Sequence, residues 1–356
     1  MTATAPERPR VVASPSPSYR PLPRWTVPVL VAAGLAVALL VRAVVGLGPG
    51  LTALVGAVVF TVALNVASRR SEGARRATDR TVTAVVTSAF LLAVVPLVSL
   101  LYTVLTKGAE RFDGAFFSQS MRNVVGEGGG GIHAIYGTLW VTGIATLISV
   151  PIGLFCAIYL VEYGRGRLAR SVTFLVDVMT GIPSIVAGLF AYALFVVFFG
   201  AGVRFGIGGA VALSVLMIPV VVRAGEEMLK LVPAELREAA YALGVPKWKT
   251  IVKVVLPVAA AGIGTGVTLA IARIIGETAP LLLVLGYTAS ISNNPFEGRM
   301  ATLPVFAFLS FRQPGANPAP SLDRAWTAAL VLMLIVLLLN LVARLIAKAF
   351  APKGAR

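Results

Sequence analysis

Few side chains in this sequence are reactive. It has one histidine, His133, and one cysteine, Cys156. Neither a disulfide framework nor a Cys/His zinc site can be assembled from them. A Ser-His-Asp triad would need His133, and no nucleophile elbow stands near it. The phosphate-cradling G-x-x-x-x-G-K-[ST] loop is missing, so the chain carries no P-loop for ATP hydrolysis. Basic residues are not interleaved with stacking aromatics, and no nucleic-acid module is visible. These observations exclude most enzyme classes and leave no catalytic or metal-binding residue to nominate.

What remains is charge inside apolar runs. Arg273 and Glu277 lie four residues apart in one run, and Arg223 closes another. A charge at the bilayer centre costs roughly 2.5–3.5 kcal/mol, so such residues are functional candidates. At i and i+4 on a helix, Arg273 and Glu277 share a face and are expected to pair. A guanidinium presents paired N–H donors that match an oxyanion. Gly276 and Pro280 flank the glutamate and loosen the helix, and broken helices near the midplane are where transporters build substrate sites. The alternative is an ion pair that only fixes helix packing. Asp177, in a further run, is expected to be structural, because an acid beside an anion route would repel the anion. Arg42 is expected to snorkel to the interface.

The elements that position these residues are membrane spans. The chain is 57% hydrophobic and 13% charged, with a mean hydropathy of +0.88. Soluble domains average roughly 45–50% apolar and about 25% charged. The sequence therefore predicts an all-α polytopic membrane protein. Eight spans are expected, near 25–46, 51–67, 81–105, 135–160, 171–199, 206–222, 257–286 and 325–347. The first two, joined by a Gly46–Gly50 turn, predict a helical hairpin over 25–67 that follows a tail of residues 1–24. Gly262-x-x-x-Gly266 predicts a close helix approach, to this chain or to a second one.

The net charge of +16 is an orientation signal. Lys107, Arg111, Arg122, Arg204, Arg299, Arg312 and Arg324 fall on one side, and Arg42 and Arg273 fall within spans. The rest of the 31 basic residues fall on the other side. The positive-inside rule then puts both termini in the cytoplasm. Two longer outer loops are expected, about 106–134 and 287–324. The glycine run 126–131 formally matches G-x-G-x-x-G but lacks a βαβ context, and is expected to be a flexible linker. The second loop, with Pro295, Pro304, Pro314, Pro318 and Pro320, is expected to be irregular and exposed.

The connection between the sixth and seventh spans is too polar to insert. The stretch PAELREAAYAL, residues 233–243, predicts a short helix with proline at its first turn and Gly244 as its stop. Leu236, Ala239, Ala240 and Leu243 fall on one stripe. Glu238-Ala239-Ala240, then Gly244, then Val254-x-Leu256-Pro257 resembles the EAA loop of ABC importer permeases, with Val254 at a position where isoleucine is usual.

Further stretches resemble the A-type permeases of phosphate-specific ABC importers, the PstA family. They are GIHAIYGTL (131–139), AIYLVEY (157–163), GIPSIVAGL (181–189), RAGEEMLKLVP (223–233), ARIIGETAPLL (272–282) and NLVAR (340–344). Alanine after Gly276-Glu277-Thr278 favours the A-type over the sister PstC type, which usually has methionine there. The resemblance implies a type I ABC importer permease fold over residues 81–350, six core helices with a coupling loop at 225–256. The hairpin lies outside that pattern. It implies that Leu236, Glu238, Ala239, Ala240, Leu243 and Gly244 couple to an ATPase, and that Arg223 and Arg273, with Glu277 as partner, line the substrate route. Implied partners are a PstC-like sister permease, two PstB-like ATPase subunits using ATP and magnesium, a PstS-like binding protein, inorganic phosphate and the lipid bilayer of the inner membrane. Two alternatives stay open: a permease for molybdate or sulfate, and an ATP-independent secondary transporter, which would need no docking loop.

Overall fold

The computed structural model describes residues 21–350. Most of the expected cytoplasmic tail, and the basic residues that follow Phe350, lie outside the described residues. The chain divides into two compact units, Met1–Tyr102 and Thr103–Arg356.

In the first unit, α1 (Thr26–Val45) and α2 (Pro49–Glu72) form the expected hairpin. Gly46 closes α1 in the left-handed region at φ 71°, its N–H donating to Arg42 O, and Pro49 opens α2 at its first turn. The helices meet through small residues: a β-carbon on Gly34 would stand 3.0 Å from Gly56 O, and Ala38 is buried beside it. After Gly73, α3 (Ala74–Gly108), which belongs to this unit as far as Tyr102, starts about two turns before the expected span, because Arg75 to Arg80 stay helical. Asn65 Nδ2 donates to Thr81 Oγ1 at 2.6 Å between α2 and α3. Below it, Glu72 accepts from Arg80 Nε at 2.6 Å and NH2 at 2.8 Å, from Ser68 Oγ at 2.9 Å and from Leu22 N at 3.0 Å.

The second unit holds α4 (Gly114–Ser118), α5 (Ile132–Ile158), α6 (Gly166–Thr180), α7 (Ser184–Phe199), α8 (Gly206–Lys230), α9 (Ala234–Ala242), α10 (Lys247–Thr250), α11 (Leu256–Ile274), α12 (Ala279–Val284), α13 (Leu303–Arg312) and α14 (Pro318–Phe350). Single π-turns extend α5 over Tyr159–Tyr163 and precede α11 over Ile251–Val255. Helix α8 is the axis of the unit and packs on α5, α6, α7, α11 and α12. Its core partners include Val141 and Ala145 of α5, Ala270 and Ile274 of α11, and Leu281 of α12. The Gly262/Gly266 pair packs within this chain: β-carbons there would stand 2.2 Å from Met228 Sδ and 2.5 Å from Ala224 Cβ, both on α8.

Among the described residues, seven helices are long and apolar enough to cross a membrane. An eighth span is made if α6 and α7 count as one, but they meet at a 110° bend. The expected continuous span over 171–199 is thus broken, at Gly181 and Pro183, where the helical ladder loses a donor. The expected span over 257–286 is broken as well. Helix α11 stops at Ile274 and α12 begins only at Ala279.

Two loop expectations are overturned. Within 287–324 lies α13, whose Leu303, Pro304, Val305 and Phe306 are buried, as are Met300 and Ala301 before it. Proline at a first helical turn initiates rather than breaks, and Leu303 N donates to the buried Thr138 Oγ1 at 2.8 Å. The glycine run is clasped. Arg324 NH1 donates to Gly126 O and Gly128 O at 2.9 Å each, and Arg111 NH2 to Gly129 O at 2.8 Å. A β-carbon on Gly131 would meet the Phe116 ring at 2.5 Å, so the glycines there serve close approach.

Candidate functional site: the α8–α11 connection and the broken helix

Helix α9 stands where the sequence places the docking helix. Its predicted stripe does not turn inward as one face. Ala240 is buried, whereas Leu236 is 40% and Leu243 83% exposed, and Glu238, Ala239 and Gly244 are exposed too. Tyr241 and Trp248 of α10 add exposed area at 41% and 62%. Gly244 adopts φ 76°, which lets its N–H reach Tyr241 O at 2.9 Å and Val245 N reach Ala240 O at 3.1 Å.

The helix is fixed from behind by Arg237, which lies off the predicted apolar stripe. Arg237 donates from Nε and NH2 to Glu162 Oε1 at 3.0 and 2.8 Å, from NH1 to Val232 O at 2.7 Å and from NH2 to Leu229 O at 2.9 Å. Glu162 belongs to the π-turn at the end of α5, and its side chain is 5% exposed. Lys247 Nζ donates to Glu162 O and sits 4.6 Å over the Tyr163 ring. Only a glutamate ending one span and an arginine 75 positions later hint at this anchor in the sequence, and neither spacing nor periodicity links them.

Arg223 sits on α8 within a chain of charges. It pairs with Asp177 of α6 and, from NH1, with Glu226 Oε2 at 2.7 Å, while Lys230 Nζ reaches Glu226 Oε1 at 2.6 Å. Asp177 is therefore a counter-ion of Arg223.

The expected Arg273–Glu277 pair does not form. No ion pair joins them among the described residues. The i, i+4 rule needs an unbroken helix, and α11 ends at Ile274, so Glu277 lies past the break. Arg273 is exposed on the last turn of α11, and Glu277 is half-buried. Open space surrounds Gly276 between them. Beyond the break, α12 is pinned to α7 and α8: β-carbons on Gly188 and Gly208 would stand 2.6 Å from Pro280 Cα and 2.6 Å from Val284 Cγ1. The two arginines thus occupy separate places, Arg223 in the α6–α8 charge chain and Arg273 at the break.

His133 is buried in α5, edge-on to Phe306 at 5.1 Å, with Tyr287 Oη 3.5 Å from Nε2. No group of three or more His, Cys, Asp or Glu side chains gathers to hold a metal ion among the described residues.

The family profile described as "Binding-protein-dependent transport system inner membrane component" matches residues 149–355. The chain is 48% identical over 276 residues to the phosphate transport system permease protein PstA 1 of Mycobacterium tuberculosis (strain CDC 1551 / Oshkosh), covering 76% of this chain and 89% of that protein. It is 46% identical to PstA of Mycobacterium leprae (75% and 88% covered) and 39% identical to PstA of Yersinia pestis (78% and 92%). Its fold resembles the inward-facing MetNI methionine ABC transporter (TM-score 0.52, 22% identity, 62% of this chain and 96% of that one). It also resembles a bacterial alginate ABC transporter (TM-score 0.56, 14% identity, 78% and 97%). The chain belongs to the family of binding-protein-dependent transport system inner membrane components, and within it to the PstA permeases.

Proposed function

We propose that this chain is a transmembrane permease subunit of an ATP-driven importer of inorganic phosphate. Its kinship with PstA proteins supports the substrate, and helix α9 carries the coupling. Held by Arg237 and Glu162, α9 leaves Leu236, Tyr241 and Leu243 40%, 41% and 83% exposed among the described residues. Exposed apolar side chains grouped on a fixed helix mark a protein partner. The partner is an ATPase subunit, and two copies bring the ATP and magnesium that this chain has no loop to bind. A sister permease completes the pathway, and a phosphate-binding protein delivers substrate from outside. Both termini lie in the cytoplasm. ATPase closure moves α9, and the spans rock between inward- and outward-facing states.

The test is reconstitution of the permease pair with its ATPase and binding protein in proteoliposomes. Phosphate uptake that requires ATP is expected, and Leu243→Glu should lower ATPase co-purification at least tenfold. Uptake without ATP by the chain alone would overturn the reading in favour of a secondary transporter. Uptake blocked by excess molybdate or sulfate but not by excess phosphate would reassign the substrate.

A further inference from the structure

Arg204 and Arg299 come from separate connections, one preceding α8 and one preceding α13. Their stems cross the same glycine. Arg299 Cγ and Cδ pass 3.1 Å, and Arg204 Cγ 3.3 Å, from the point where a β-carbon on Gly286 would stand. Gly286 lies just past α12 at φ 65°, so the crossing point is both bare and shaped for glycine. The Arg204 guanidinium is held 4.3 Å over the Tyr192 ring of α7, and its NH1 donates to Val203 O at 3.0 Å. Arg299 is exposed. Among the described residues neither arginine has an ion pair, and Glu297, two positions before Arg299, pairs with neither.

Two arginines whose stems converge without a carboxylate partner leave positive charge uncompensated, which favours an anion at that place. Their planar donor forks fit the oxygens of a phosphate. Gly286 follows α12, at the far end of the same broken segment that carries Arg273 and Glu277. Both arginines fall on the side that the charge distribution assigns to the exterior.

We propose that Arg204 and Arg299 form an outer capture site for inorganic phosphate, which holds the anion after its release from the binding protein and before it reaches the break at Gly276. Tyr192 fixes the direction of Arg204, and Gly286 admits both stems. The proposal rests on the phosphate-permease reading and deepens it.

The experiment uses the complete transporter in proteoliposomes with phosphate-loaded binding protein outside. The readouts are phosphate taken up per ATP hydrolysed and, separately, the stimulation of ATP hydrolysis by the loaded binding protein, which reports docking. For Arg204→Gln/Arg299→Gln we expect the uptake ratio to fall at least fivefold with stimulation retained, because released anion escapes outward. Arg204→Lys/Arg299→Lys should recover the ratio to within twofold. An unchanged ratio in the double glutamine variant overturns the proposal. Loss of stimulation also overturns it, assigning the pair to binding-protein docking. If the double variant does not accumulate, Arg299→Gln alone decides, since that side chain is exposed and makes no hydrogen bond among the described residues; the ratio should fall at least twofold. A wild-type complex that moves no phosphate would instead sink the functional reading itself.

Discussion

Arg237 and Glu162 show how a buried ion pair fixes a surface helix. Both side chains are largely covered, at 17% and 5% exposure. Removing one partner of such a pair leaves an uncompensated charge and costs about 3–5 kcal/mol, whereas removing both costs far less. Arg237→Ala should therefore lower the melting temperature in detergent and weaken ATPase binding, and Arg237→Ala/Glu162→Leu should recover much of the stability but not the binding. Equal stability of the single variant and wild type would contradict the anchor. Glu72 offers a pH-dependent counterpart. Its hydrogen bonds from Arg80, aided by those from Leu22 and Ser68, hold its carboxyl down to about 2. A depressed carboxylate stabilises the folded state fully above the ordinary value near 4.5, and that contribution is lost as pH falls towards 2. Glu72→Gln should melt earlier than wild type at pH 7, and the gap should narrow at pH 2.5. A gap that stays constant with pH would place the effect elsewhere. Neither pair was legible in the sequence. Local spacing reveals partners three or four apart, as with Glu226 and Lys230, but not partners 75 apart.

The helices themselves were largely legible. Runs of apolar residues gave the hairpin and α5 to within about five residues, because hydropathy reports what the bilayer requires, and missed the more polar ends of α8 and α14 by eight and seven. The breaks were legible only in part: Gly276 and Pro280 signalled a loosened helix, but the bend at Gly181-x-Pro183 and the loss of the Arg273–Glu277 pair were not foreseen. Gly181-x-Pro183 and Gly276 to Pro280 sit inside stretches apolar enough to pass as single spans, and a hydropathy window averages over them. The same averaging hid α13, whose prolines read as loop although Pro304 occupies a first helical turn. Close packing of these elements rests on absent side chains. A β-carbon on Gly137 would stand 1.8 Å from Ala301 O, a backbone atom that cannot swing aside. Gly137→Ala should force α5 away from the segment before α13 and cost about 1–3 kcal/mol or more. Lower yield and a lower melting temperature are expected, whereas Gly143→Ala, where nothing lies within 4 Å, should match wild type.

Orientation links the charge distribution to the two faces of the protein. The Arg223–Lys253 region carries α9, and the opposite connections carry Arg204 and Arg299. In a background with Cys156 replaced by serine, a cysteine at Ser292 should react with a membrane-impermeant thiol reagent in intact cells. A cysteine at Leu243 should react only after the membrane is opened. The reverse pattern would invert the topology and with it both the docking and the capture assignments. The positive-inside rule predicts this orientation from the charge distribution, but the arginines of the proposed capture site are invisible in the net charge of +16. They are identified by what surrounds them, which only the fold supplies.

The break at Gly276 has a mechanical consequence. Helix α9 rests on the π-turn from which α11 grows, so α11 is a lever of 19 residues with one end at the proposed docking helix. Four non-helical residues form a joint between its far end and α12, which is bolted to α7 through Gly188 and Pro280. A stroke begun in the cytoplasm would therefore swing Arg273 while leaving Gly286 and the arginines above it at rest. The two ends of the seventh span would work as a moving jaw and a fixed one.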